Sequence, residues 1–167
     1  MSSTMWLCVA VVAAGFMASA SASASASFCD TADDKVLCRQ LVGSAGTWAK
    51  AMTNALNGVQ KRAEGGKSVA DVVAAKLPAD VLPQTKDAIV STCHWGYDNI
   101  MDNVKECIEF VKDDPTSALK SHLSAMSYSD CTDGLSEFNL SVPEATQFDD
   151  EMQKLSSALL AVAEKRP

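Results

Sequence analysis

An all-α fold, an up-and-down four-helix bundle preceded by a small N-terminal helical hairpin, is the class this sequence predicts. Three observations point to it. Apolar residues recur every three or four positions along four long segments. Alternating runs of β-branched and aromatic residues, the mark of half-buried strands, are absent after position 27. Proline and glycine punctuate the segments at short intervals, and short links make consecutive helices antiparallel neighbours.

The first 26 residues stand apart. Met5 to Ala20 is an apolar run, shorter than the roughly 20 residues a spanning helix needs. Ser19 to Ser27 then alternates Ser and Ala without a break. An apolar stretch followed by small residues is the pattern of a cleaved signal peptide. Residues 1–26 are therefore expected to be removed, leaving one domain over 27–167 in an oxidising, extracellular compartment. Cys8 leaves with the leader, and no membrane attachment is expected after cleavage.

Asp33 to Leu41 is short and polar and ends before Gly43 and Gly46, which reads as part of a hairpin rather than a core helix. Thr47 suits an N-cap for a helix carrying Trp48, Met52, Ala55, Leu56 and Val59 on one face. Gly65–Gly66 interrupts that pattern before Val69, Val72, Val73 and Leu77 resume it, so either one helix bends there or two meet. Pro78 and Pro83 bracket a connection, and Pro83 suits the first turn of the next helix. Thr85 to Lys112 is the clearest amphipathic stretch, about 42 Å long, with Ile89, Cys93, Tyr97, Ile100, Met101, Val104, Ile108 and Val111 in its stripe. Asp114 as cap and Pro115 at the first helical position open a third segment through Ala118, Leu119, Leu123, Met126 and Cys131, with Gly134 weakening its end. Asn139 to Pro143 reads as a loop, and Phe148, Met152, Leu155, Leu159, Leu160 and Val162 define a terminal helix.

The chain has 167 residues, with 14 Lys plus Arg against 21 Asp plus Glu, a net charge of -7. Such acidity argues against nucleic acid as a partner. The charge is also uneven. Residues 98–151 hold 13 acidic and 3 basic groups, whereas residues 29–97 hold 7 and 8. A solvated face or a docking face for a basic partner would each account for it. Asn139-Leu140-Ser141 is an N-glycosylation acceptor in the expected loop.

Chemistry is poorly represented. His94 and His122 fall in different segments, with no HExxH pair, no GxSxG elbow, no CxxC and no phosphate-cradling glycine motif. Neither an enzyme, nor a metal site, nor a cofactor is expected. Cys29, Cys38, Cys93, Cys107 and Cys131 allow about 15 patterns with one thiol left over. Cys107 lies on the same stripe as Cys93 and is taken as the reduced, buried one.

Three stretches resemble the plant invertase and pectin methylesterase inhibitor family. Cys29-Asp-Thr-Ala-Asp-Asp-Lys-Val-Leu-Cys38 has that family's opening eight-residue gap between cysteines. Cys93-His-Trp-Gly-Tyr97 is similar to its Cys-x-x-x-Tyr motif within a long helix. Leu123-Ser-Ala-Met126 followed by Cys131-Thr-Asp-Gly-Leu135 resembles its Leu-Ser-Ala-Ala-Leu stretch and Cys-x-Asp-Gly-Phe ending, with Leu135 in place of Phe. The resemblance implies a helical bundle with disulfides Cys29–Cys38 and Cys93–Cys131, and a structural Tyr97 beside the second. It further implies an inhibitor that covers the cleft of an acid invertase or a pectin methylesterase, in the cell wall ahead of the vacuole. Asp98, Asp102, Glu106 and Glu109 are the partner-binding candidates by charge. The alternative is a secreted helical protein with a structural or ligand-binding role and no inhibitory one.

Overall fold

A computed structural model describes residues 27–113, 117–126 and 128–167. The expected signal peptide and the Asp114–Pro115 helix start lie outside the described residues. The helices are α1 (Lys35–Val42), α2 (Trp48–Ala63), α3 (Gly66–Lys76), α4 (Pro83–Asp113), α5 (Ser117–Ala125), α6 (Asp130–Ser136) and α7 (Pro143–Glu164). No strand occurs among the described residues. The molecule is a helical bundle, and two of its four expected segments are each divided in two.

Local chemistry sets the boundaries. Asp34 caps α1, its carboxylate accepting from the backbone N–H of Val36 at 3.0 Å and of Leu37 at 2.9 Å. Gly43 closes α1 with φ 61, a left-handed conformation that a side chain would strain. Thr47 caps α2. Pro83 is the first residue of α4, and Pro143 the first of α7 rather than the end of the preceding loop. At 31 residues, α4 spans about 46 Å and needs neighbours along its whole length.

Side-chain ties show that the neighbours run in opposite directions. From α4 to α5–α6, Glu106 meets His122, Cys93 is bonded to Cys131, and Thr92 packs on Gly134. Between α3 and α4, Lys67 meets Asp98 and Asp71 faces His94. From α2–α3 to α7, the Trp48 indole N–H donates to the Val162 carbonyl at 2.8 Å, Arg62 pairs with Glu151, and Lys76 pairs with Glu144. Between them lies one core, with Met52, Leu56, Val59, Ile89, Ile100, Leu119, Leu123, Phe148, Met152 and Leu159 buried. Met101, Ile108 and Leu160, expected in the apolar stripes, are only partly buried at the edge of that core.

The α2–α3 break has a packing reason. A β-carbon on Gly66 would sit 2.6 Å from Cγ of Tyr97, so the first residue of α3 is the seat for that ring. The Tyr97 ring meets Phe148 edge-on, centroids 4.9 Å apart, and its hydroxyl donates to Asp149 Oδ1 at 3.1 Å. The α5–α6 break serves the same centre. Thr132 lies in the first turn of α6, where backbone N–H groups have no partner within the helix. Its N–H is aimed at Asp149 Oδ2, 3.2 Å away. An unbroken third helix would have spent that N–H on its own ladder, which explains why the single segment expected through Cys131 is two.

Two disulfides brace this arrangement. Cys29–Cys38 holds the turn before α1, with a Cα separation of 5.8 Å. Of the N-terminal hairpin, α1 and this turn are the described part. Ser157 of α7 donates to Asp33 at 2.8 Å, and Asn54 of α2 donates to the Val42 carbonyl at 2.9 Å, so the turn and α1 are each fastened to the bundle. Cys93–Cys131 joins α4 to α6 with a Cα separation of 4.2 Å. Its 38-residue spacing corresponds to about 4 kcal/mol of loop-closure entropy.

Two outcomes follow. Gly66→Ala forces the buried Tyr97 ring to move, and a loss of about 1–3 kcal/mol in urea unfolding is expected. Asp149 is 6% exposed, and burial raises its carboxyl above the usual value against the pull of the Thr132 and Tyr97 hydrogen bonds. Between about pH 3.9 and that raised value the folded state holds a proton the unfolded chain has lost, so this group's contribution falls as pH rises. Asp149→Asn removes that component. Urea titrations from pH 3.5 upward should show wild-type stability, relative to the variant, declining with pH; a constant difference would contradict the assignment.

Candidate partner-binding face

α4 divides sharply into two sides. Turning about 100° per residue, it places Cys93, Ile100, Val104, Cys107 and Val111 along one line, all buried. Opposite them, within about 80°, fall Asp98, Asp102, Glu106 and Glu109, spaced four, four and three apart. All four are exposed, so the structure brings the sequence candidates together on a single ridge.

Three of these carboxylates are engaged. Asp98 pairs with Lys67 of α3 at 3.2 Å, Asp102 with Lys105 at 2.9 Å, and Glu106 with Nε2 of His122 on α5 at 2.9 Å. The partners are exposed or half-exposed, so each pair adds little to stability and can be exchanged for another cation. The other nitrogen of His122 faces the Ala118 carbonyl at 3.1 Å, and its ring lies 4.8 Å from that of Phe110. Glu109 lies further along the same ridge.

Sequence reasoning missed Trp95 on this ridge. It precedes Asp98 by three and Asp102 by seven, so helical angle alone could have placed it there. It is 65% exposed, an unusual position for the largest apolar side chain. A cleft of about 490 Å³ flanks the ridge where α2 turns into α3, lined by Glu64, Lys67, Tyr97, Asp98, Met101 and Lys105 among others. A second cleft, about 310 Å³, lies between the α5–α6 link and α7, lined by Tyr128, Thr132, Asp149, Asp150 and Gln153 among others. Asp149 was also missed. Its signal was a carboxylate set in the α7 stripe with Met152, Ser156 and Leu159.

The reactive groups are quiet. Cys107 is buried and unpaired, and burial, with the Glu106 charge beside it, pushes its thiol up to about 12. The thiolate is the reactive species, so at neutral pH this cysteine is inert. Burial likewise pushes Tyr128 up to about 12 and holds Tyr97 well above the usual phenol value. His94 is half-exposed at the rim, 3.9 Å from Asp71. No group of three or more His, Cys, Asp or Glu side chains among the described residues is arranged to hold a metal ion. No described helix is long and apolar enough to cross a membrane.

The acidic ridge, with an exposed aromatic at its head, stands on a helical bundle braced by two disulfides. The family model for plant invertase/pectin methylesterase inhibitors matches residues 23–162. The chain belongs to the plant invertase/pectin methylesterase inhibitor family. Members of this inhibitor family are inhibitors of those enzymes and not enzymes themselves. No curated protein matches the chain. Within the inhibitor fold seen here, the Cys-x-x-x-Tyr stretch of α4 sends Cys93 to the disulfide and Tyr97 to the buried carboxylate, one turn apart, while Trp95 between them faces solvent.

The state of Cys107 can be checked directly. At pH 7 iodoacetamide should leave Cys107 of the native protein unmodified over the period that fully alkylates it in 6 M guanidinium, read by the mass of the peptide that carries it. Fast modification of the folded protein would place Cys107 outside the core.

Proposed function

We propose that this protein is secreted after removal of residues 1–26 and blocks a plant cell-wall carbohydrate-active enzyme, an acid invertase or a pectin methylesterase, by docking the outer face of α4. The observation that carries this reading is the exposed Trp95 at the head of the Asp98, Asp102, Glu106 and Glu109 ridge. A large aromatic is the residue type that anchors an interface, and the surrounding charges steer encounter. The ridge is rigid because the opposite side of the helix is buried along its length and disulfide-bonded to α6, so docking need not order it. A partner with a basic rim would displace Lys67 and Lys105 from their exposed pairs and take their place. No cofactor is required.

The cleft beside Tyr128 and Asp149 favours a second reading, a secreted helical protein that takes a small ligand and inhibits neither enzyme.

Titration of the purified protein against both enzymes at pH 5 and pH 7 separates the two. A stoichiometric loss of activity in one of them is expected. Trp95→Ala should weaken that inhibition by about 30-fold, as for an interface hot spot near 2 kcal/mol. Asp102→Asn with Glu109→Gln should mainly slow association and flatten its salt dependence. Flat curves against several isoforms of each enzyme would overturn the inhibitor reading. Unchanged inhibition by Trp95→Ala would move the interface off α4.

A further inference from the structure

The link between α6 and α7 carries a feature that enzyme blocking does not use. Asn139-Leu140-Ser141 is the only Asn-x-Ser/Thr triplet in the chain, and no proline occupies its middle or following position. The turn that presents it is built by its own backbone. The N–H groups of Phe138 and Leu140 donate to the Leu135 carbonyl at 3.1 and 3.0 Å, and that of Asn139 donates to Ser136 at 2.9 Å. Asn139 sits at φ 55, the left-handed region that Asn tolerates better than other side chains. Asn139 and Ser141 are both exposed, and neither side chain hydrogen-bonds to a described residue. Phe138, next to the acceptor, is 45% exposed.

We infer that Asn139 carries an N-linked glycan that shelters Phe138 and leaves the Glu106 and Glu109 end of the α4 ridge open. Attachment forms a bond from Asn139 Nδ2 to C1 of the reducing-end N-acetylglucosamine of a lipid-pyrophosphate oligosaccharide. The C1–O bond to phosphate breaks, the amide gives up one proton, and the lipid pyrophosphate leaves. A free amide on an exposed turn meets the geometric demand of that transfer. The first sugar then lies against the apolar ring beside it, which gives an exposed Phe a covering in solution.

Position separates the glycan from the Glu106 and Glu109 end of the docking face, whereas Trp95 lies only three residues past Thr92, about 4.5 Å along the helix. Gly134 of α6 packs on Thr92, and the two helices run in opposite directions, so the chain beyond Gly134 heads toward the start of α4. Glu106 and Glu109 lie 14 and 17 residues past Thr92 in the other direction, about 21–26 Å along the helix. The inference rests on the secretion reading and not on the identity of the inhibited enzyme.

The full chain expressed in plant cells tests it. The secreted protein should carry glycan mass that a peptide N-glycosidase removes, with the deamidation mark at position 139. Asn139→Gln and Ser141→Ala should each be secreted at the bare polypeptide mass. The deglycosylated protein should bind more of an apolar fluorescent dye than the glycosylated form, and Phe138→Ser should abolish that difference. A secreted, leader-free wild-type chain at bare polypeptide mass would overturn the glycan alone. An intracellular chain that keeps Met1 would overturn secretion and the glycan together. Equal dye binding with and without the sugar would overturn the shelter for Phe138.

Discussion

A carboxylate buried without a cation among its hydrogen-bond partners is the constraint around which the helices are arranged. Asp149 receives the Tyr97 hydroxyl on one oxygen and the Thr132 backbone N–H on the other. Burying a charge is costly unless its hydrogen bonds are supplied, so these donors must be held in place. Tyr97 comes from α4, Thr132 from the first turn of α6, Asp149 from α7, and the ring of Tyr97 rests on Gly66 of α3. The Cys93–Cys131 bridge lies one helical turn from Tyr97 and one residue from Thr132, which keeps both donors in register with the acid. The breaks between α2 and α3 and between α5 and α6 admit the aromatic ring and free the N–H.

With the inner side of the bundle so constrained, its outer side is left to solvent. α4 buries cysteines and aliphatic residues on one line and shows Trp95 and four carboxylates on the other. The ion pairs on that ridge are weak because water competes for every partner. A rigid scaffold with exchangeable surface charge fits a protein that works by binding, and it is consistent with a thiol held in its unreactive form in the core. The chain leaving α6 for the Asn139 turn heads toward the start of α4, away from Glu106 and Glu109.

Much of this could be read from the order of residues. The 3.6-residue stripes of α2, α4 and α7, the proline at 83 and the Thr47 cap are local effects, encoded within a few positions of where they act. The four carboxylates of α4 share a face because of their spacing, and Trp95 shares it for the same reason, although exposure of a tryptophan runs against the usual partition. Asp149 was harder to see. A carboxylate within an apolar stripe means little until the donors from two other helices are known.

Sequence by itself therefore determined the helical class and the faces of the long helices, because periodicity, capping and proline chemistry act over one or two turns, and the family resemblance rested on three short motifs around the cysteines. Spacing alone left the cysteine pairing open, since a bond between positions 38 residues apart depends on which helices pack together. Only the tertiary structure decided why Gly66 must lack a side chain, why the third segment breaks before Asp130, and which groups satisfy Asp149. Those are contacts between residues far apart in the chain, and their energies exist only once the core has excluded water.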